Sequence, residues 1–219
     1  MKKRHLKFAL KGIATSTLIA TLFIQVLYVA FEPGKAKAAF DDDQILVTLT
    51  VDSGISITSP ADCALTPNIS VSSNSAICGS TWNVKTNHAT GYTLAIKAQA
   101  SPALVSGGNS FADYTPAVAA TPELWSVGSG AKEFGYSVYG TDSSTATWGT
   151  SASCGAAGVP AVAQKYRDTT TSDVTVATRA VPTPFAGIDT TFCGAAAQNG
   201  IYAASGSYQA TITATATEI

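Results

Sequence analysis

The chain has 219 residues, 46% of them hydrophobic and only 12% charged, and carries a formal net charge of −1. Seven of its thirteen Lys and Arg residues but only one acid, Glu32, lie in the first 38 positions, so the remainder holds six basic against thirteen acidic residues, a net charge of −7. An acidic domain with scattered cations has no electrostatic footprint for nucleic acid and no polybasic patch for anionic lipid, which sets both aside as partners.

The N-terminus reads as an export signal. Lys2, Lys3, Arg4, Lys7 and Lys11 precede an uncharged run from Gly12 to Phe31, Pro33 breaks the segment, and Ala36 and Ala38 stand as small residues at the −3 and −1 positions of a signal-peptidase site, with a near equivalent ending at Ala39. This predicts a signal peptide over 1–39 and a single exported domain over 40–219. Two other readings of the segment stand beside it. A run of this length can span a bilayer, so a retained anchor is one, and would be the chain's membrane contact. A pilin-type leader cut at Lys11-Gly12 is the other, although Thr17 stands where such leaders usually carry Glu.

After the leader the chain alternates with period 2, the mark of half-buried strands. Gln44 to Val51 is read as the first strand, with Ile45, Val47, Leu49 and Val51 on one face and Leu46, Thr48 and Thr50 on the other. Gly54 to Thr58 and Asn68 to Ser72 follow as short strands. Thr81 to Ala98 reads as a hairpin: Trp82 and Val84, then Tyr92, Leu94, Ile96 and Ala98, flank a connection ending at Gly91, where a positive φ is expected. The stretch 101–123, with three prolines and Gly107-Gly108, reads as a long loop. Strands resume at Phe134 to Tyr139, around Thr145 to Trp148, and at Asp173 to Val181, and Val181-Pro182-Thr183-Pro184 marks a turn or an edge. Gly206 to Ile219 closes the chain as a strand expected to be paired and central. The sum is an all-β, antiparallel β-sandwich, Ig-like or jelly-roll-like, with long loops, preceded by the signal helix.

The four cysteines, Cys63, Cys78, Cys154 and Cys193, all follow the leader and contain no CxxC pair. In an oxidising compartment they predict two disulfides. Three connectivities are open, of which Cys63–Cys78 with Cys154–Cys193 is favoured because it closes the shorter loops.

Chemistry is sparse. His88 is the one histidine after the leader and sits in a loop tip, no Ser lies in a GxSxG context, and no P-loop, GxGxxG, HExxH or EF-hand pattern occurs. Asp113, Glu123, Glu133 and Asp142 have no spacing that singles out a catalytic pair. The chain is therefore read as a non-enzyme with no cofactor and no metal site, Asp41-Asp42-Asp43 being taken as a solvated acidic start rather than a Ca²⁺ site. Trp125, Trp148, Tyr114 and Tyr166 fall in or near loops, where rings either stack on a glycan or pack under the loops.

Two segments carry a resemblance. NHATGYTLAIKA (87–98) and GSYQATITATATEI (206–219) resemble motifs of secreted bacterial surface β-sandwich proteins, the WxL-type cell-wall-binding proteins among them. Where that pattern has Trp-x-Leu, this chain has Trp82-Asn83-Val84 and Trp125-Ser126-Val127, so no binding residue carries over. In organisation, an acidic start followed by a strongly alternating strand resembles pilin-like subunits that polymerise by lending that strand to a neighbour, Ile45, Val47, Leu49 and Val51 supplying the contacts. These readings give an extracellular or cell-surface structural protein, self-associating into a fibre or joining another surface protein. The alternative is a monomeric surface module binding glycan, cell wall or protein.

Overall fold

The structure is a computed structural model and describes residues 46–219. The chain divides into two units, residues 1–50 and 51–219. The signal segment, Asp41–Asp43 and Ile45 lie outside the described residues. Of the first unit, 46–50 form no strand; the same is true of 51–54, which open the second. The part of the expected first strand that is described thus pairs with none of the described residues. Its side chains face water: Leu46 is 92% exposed, Val47 83%, Leu49 84% and Val51 71%.

The second unit is all-β. Its strands are β1 (Ile55–Ile57), β2 (Ser75–Thr86), β3 (Tyr92–Ala98), β4 (Leu104–Ser106), β5 (Asn109–Asp113), β6 (Glu123–Leu124), β7 (Ala131–Gly140), β8 (Gly155–Ala156), β9 (Val159–Pro160), β10 (Lys165–Asp168), β11 (Val174–Arg179), β12 (Ile188–Asn199) and β13 (Ile212–Glu218). One helical turn, α1 (Thr145–Trp148), interrupts them. The larger sheet runs β1-β2-β12-β7-β10-β6, with the β4–β5 pair attached through a parallel contact of β5 with β7. A second sheet runs β11-β3-β13, and β8 pairs with β9. Trp82, Val84, Tyr136, Val138 and Phe192 from the large sheet share one core with Leu94, Ile96 and Val176 from the small one. Two antiparallel sheets therefore face each other as a sandwich.

The expected hairpin is a different object. β2 pairs with β1 and β12, whereas β3 pairs with β11 and β13, so the 87–91 connection carries the chain from one sheet to the other. Trp82 and Val84 meet Leu94 and Ile96 across the core instead of lying beside them. Alternation states which residues face inward, and both arrangements satisfy it. Gly91 has the expected positive φ, +77°, and a Cβ there would lie 2.1 Å from the carbonyl oxygen of Arg179. Left-handed strain and backbone overlap both oppose a side chain, so Gly91→Ala should cost at least about 2 kcal/mol in a urea titration. An unchanged midpoint would contradict this geometry.

Other expectations are corrected. Asn68 to Ser72 is no strand: the Ser70 hydroxyl accepts from the amides of Ser72 and Ser73, which turns the chain. Thr145 to Trp148 is a helical turn because Ser144 caps it, its hydroxyl accepting from the Thr147 amide, and only Trp148 is buried. The 101–123 stretch contains β4 and β5. β10 and the twelve-residue β12 were not anticipated, yet β12 lies between β2 and β7. The C-terminal strand is paired but sits at the edge of the small sheet.

β12 is central because it is covered on both faces. Phe192 and Ala196 enter the sandwich core, while Cys193 and Ala195 join a second cluster with Ile77, Tyr114 and Tyr166 on the outer face of the large sheet. The disulfides are Cys63–Cys78 and Cys154–Cys193, the favoured connectivity, and both suit an oxidising environment. Their strands are neighbours, in register at Cys193↔Gly79 and Gly194↔Cys78. Each half-bridge therefore faces a glycine. A Cβ at Gly79 would lie 3.0 Å from the Cys154 sulfur, and one at Gly194 would lie 3.1 Å from the Cys78 sulfur. Cys78 and Cys193 occupy adjacent register positions with opposite side-chain directions, which puts the two bridges on opposite faces of the sheet.

Candidate functional site

Three of the four rings considered for ligand stacking come together on the outer face of β7. Tyr114 stacks on Trp125 with centroids 4.6 Å apart, and Tyr166 meets Trp125 edge-on at 5.3 Å. Gly135 makes room for them: a Cβ there would lie 2.7 Å from the Tyr114 Cβ and 3.0 Å from the Trp125 ring. Tyr114 and Tyr166 are fully buried and Trp125 partly so. Trp148 lies apart from them, buried against Tyr136 at 5.6 Å. The rings of Tyr114, Tyr166 and Trp148 thus turn inward and work as packing, leaving Trp125 alone with partial access to solvent.

Three buried tyrosine hydroxyls have hydrogen-bond partners, whereas that of Tyr136 has none among the described residues. Tyr114 donates to Glu123 at 3.0 Å, Tyr92 donates to Asp142 at 2.9 Å, and Tyr166 donates to the carbonyl of Cys154 at 3.3 Å. Burial, then the Glu123 hydrogen bond, push the Tyr114 phenol up to about 12. Burial first, and for Tyr92 the bond to Asp142 as well, raises Tyr92, Tyr136 and Tyr166 further. A group whose folded pKa is raised contributes stability that is whole below its unfolded value, about 10 for Tyr, and is lost as pH rises through the folded value. The melting temperature should accordingly fall progressively above about pH 10, and Tyr114→Phe should flatten the slope. A melting curve unchanged up to about pH 12 would contradict this burial.

The carboxylates considered for catalysis each serve a fold contact. Asp113 accepts from the Ser101 hydroxyl at 2.5 Å, the Ala103 amide at 3.0 Å and the Thr169 hydroxyl, tying three segments together. Asp142 accepts from Tyr92 and from Arg179 at 3.3 Å, which ties the loop after β7 to both β3 and β11. Glu133 is buried and its carboxyl is raised, burial outweighing hydrogen bonds to Thr115. His88 pairs with the Thr90 hydroxyl at 2.9 Å within its own loop, and the same hydroxyl donates to the carbonyl of Ile219. Among the described residues no three His, Cys, Asp or Glu side chains converge as a metal set, and no helix is long and apolar enough to cross a membrane. Sequence reasoning singled out Asp113 and Asp142 as carboxylates but missed their role as hubs, because their partners lie up to 56 residues away.

Two features remain that are built yet unpartnered. One is the exposed apolar run Leu46 to Val51. The other is β13, whose backbone ladder among the described residues pairs with β3 alone. No protein-family model, no curated protein and no solved structure matches this chain.

Proposed function

We propose that this is an exported, non-catalytic structural protein of the cell surface that assembles into a fibre or pilus-like polymer by β-strand addition. The observation that carries the reading is the state of residues 46–51. They alternate like a strand, yet in the single chain they pair with nothing among the described residues, and Leu46, Val47, Leu49 and Val51 are exposed. Four large apolar side chains within six residues, left in water, are a costly arrangement for a monomer, because each forgoes roughly 1.5–3 kcal/mol of burial. Lent to a neighbour, the segment buries Val47, Leu49 and Val51, which share one face, and its backbone groups gain partners. The leader delivers such a chain to the outside, and two disulfides suit it to that compartment. The test is negative-stain electron microscopy of the exported protein, residues 39–219, recovered under oxidising conditions. Regular filaments support the reading, and discrete monomers at every concentration and pH overturn it.

The monomeric binding module is weaker. It would use loop aromatics, and only Trp125 among those considered has any exposed surface. Glycan binding lost on Trp125→Ala, with the fold intact, would favour it.

A further inference from the structure

A lent strand needs a receiving edge, and the sheets offer few. β1 has three residues, with Pro60 just beyond it, and β6 has two. β11 carries a bulge between Thr175 and Ala177, is flanked by Asp173 and Arg179, and donates the Thr178 amide to the Asp142 carbonyl. Short length, bulges and charge are the usual means of blunting an edge. β13 is blunted least: its one charge, Glu218, closes the strand and accepts from the Ser53 hydroxyl at 2.8 Å, from Thr211 to Thr217 it contains no charge, proline, glycine or bulge, and it pairs in unbroken register from Ile212↔Ala98 to Glu218↔Tyr92.

Its outer side is also the side left unfinished. The Gln99 amide donates to the Thr211 carbonyl, and the Ile219 amide donates to the Gly91 carbonyl. Odd-numbered residues of the strand therefore bond toward β3. In an antiparallel ladder the amides and carbonyls of Ile212, Ala214, Ala216 and Glu218 then point to the outer edge, where they have no backbone partner among the described residues. Ile212, Ala214 and Ala216 also face the sandwich core yet are only half-buried, whereas Leu94 and Ile96 beside them on β3 are fully buried. The rim of the core along this edge is lined with alanine, and β1 approaches it at the Glu218 end, where the Ser53 hydroxyl donates to Glu218 at 2.8 Å.

We infer that the outer edge of β13 is the acceptor for residues 44–51 of a second copy of this chain, an inference that rests on the strand-addition reading above. The two strands are complementary by alternation. With Val47, Leu49 and Val51 turned inward, large side chains cover the small Ala214 and Ala216, and Thr48 and Thr50 then fall on the face that bears Thr213, Thr215 and Thr217. Large-on-small packing inside and threonine pairs outside are the cross-strand contacts that fix register.

The experiment places a photo-reactive benzoylphenylalanine at Thr48 in ¹⁵N-labelled exported protein, mixes it with unlabelled protein during assembly, and maps the cross-linked peptides by mass spectrometry. Heavy–light links from position 48 to residues 211–218 support the inference. Links confined to one copy, or heavy–light links to another strand in filaments that still form, overturn the acceptor while leaving fibre assembly standing. No filaments at all overturn both. In parallel, Ala214→Pro removes one outward amide without touching a bond to β3, and should reduce filament mass at least tenfold at an unchanged monomer melting temperature. Filaments at the wild-type level with this variant overturn the inference, and if it does not fold the cross-link decides alone.

Discussion

Deletion of residues 40–51 should abolish filaments while leaving a folded, soluble sandwich. The two halves of that outcome have separate causes. The domain loses little, because the described part of the segment forms no strand and its apolar side chains are exposed. The polymer loses its link, because Val47, Leu49 and Val51 together stand for roughly 5–9 kcal/mol of apolar burial at ordinary transfer values, before the cost of association is set against it. A single Leu49→Asp should act almost as strongly, since it puts a charge where the neighbour offers only an apolar rim. Electron microscopy and sedimentation report the first half, and far-UV circular dichroism with a thermal melt reports the second. Filaments persisting after the deletion would show that another surface drives assembly.

The larger effect on stability is expected at the Cys154–Cys193 bridge. It closes the longer loop, with a sequence separation of 39 against 15 for Cys63–Cys78. Loop-closure entropy then gives about 4 kcal/mol for the first and about 3 kcal/mol for the second. The first also pins the cover of the outer-face cluster: Cys154 packs with Tyr114, Tyr166 and Trp125, and its carbonyl accepts from Tyr166. Cys154→Ala with Cys193→Ala should therefore lower the melting temperature by roughly 10 °C, more than the Cys63→Ala, Cys78→Ala pair. The reverse order would mean that the 63–78 loop matters to the native packing beyond its length.

What could be read from the residues follows from what alternation encodes. It marked the inward faces of β2 and β3, where Trp82 and Val84, then Tyr92, Leu94, Ile96 and Ala98, are buried. It could not say that β2 and β3 belong to different sheets, since Trp82 and Val84 face inward in either arrangement. It passed over β12, whose Gly194-Ala195-Ala196-Ala197 run is buried on both faces and so alternates in nothing but direction. It placed β13 at the centre on the strength of its length, whereas its small alanines suit an edge. The aromatic cluster was visible as separate residues but not as packing, because Tyr114, Trp125 and Tyr166 come from three distant segments and meet only where Gly135 of β7 makes room for them.

The Cys63–Cys78 bridge has a mechanical meaning. A pull on the chain at Val51 first loads the Asn87 bonds to Asp52 and Gly54 and the Ser53 bond to Glu218, and then β1, which holds to β2 through three register pairs, Ile55↔Thr86 to Ile57↔Val84. Once those part, the slack ends at Cys63, whose covalent bond passes the tension to β2, a strand held along ten register positions by β12. The domain can thus pay out about a dozen residues, on the order of 40 Å of extended chain, before the force meets the centre of the large sheet. Each subunit would act as a short tether with a fixed stop, yielding under a tug and recovering when only β1 has to re-pair.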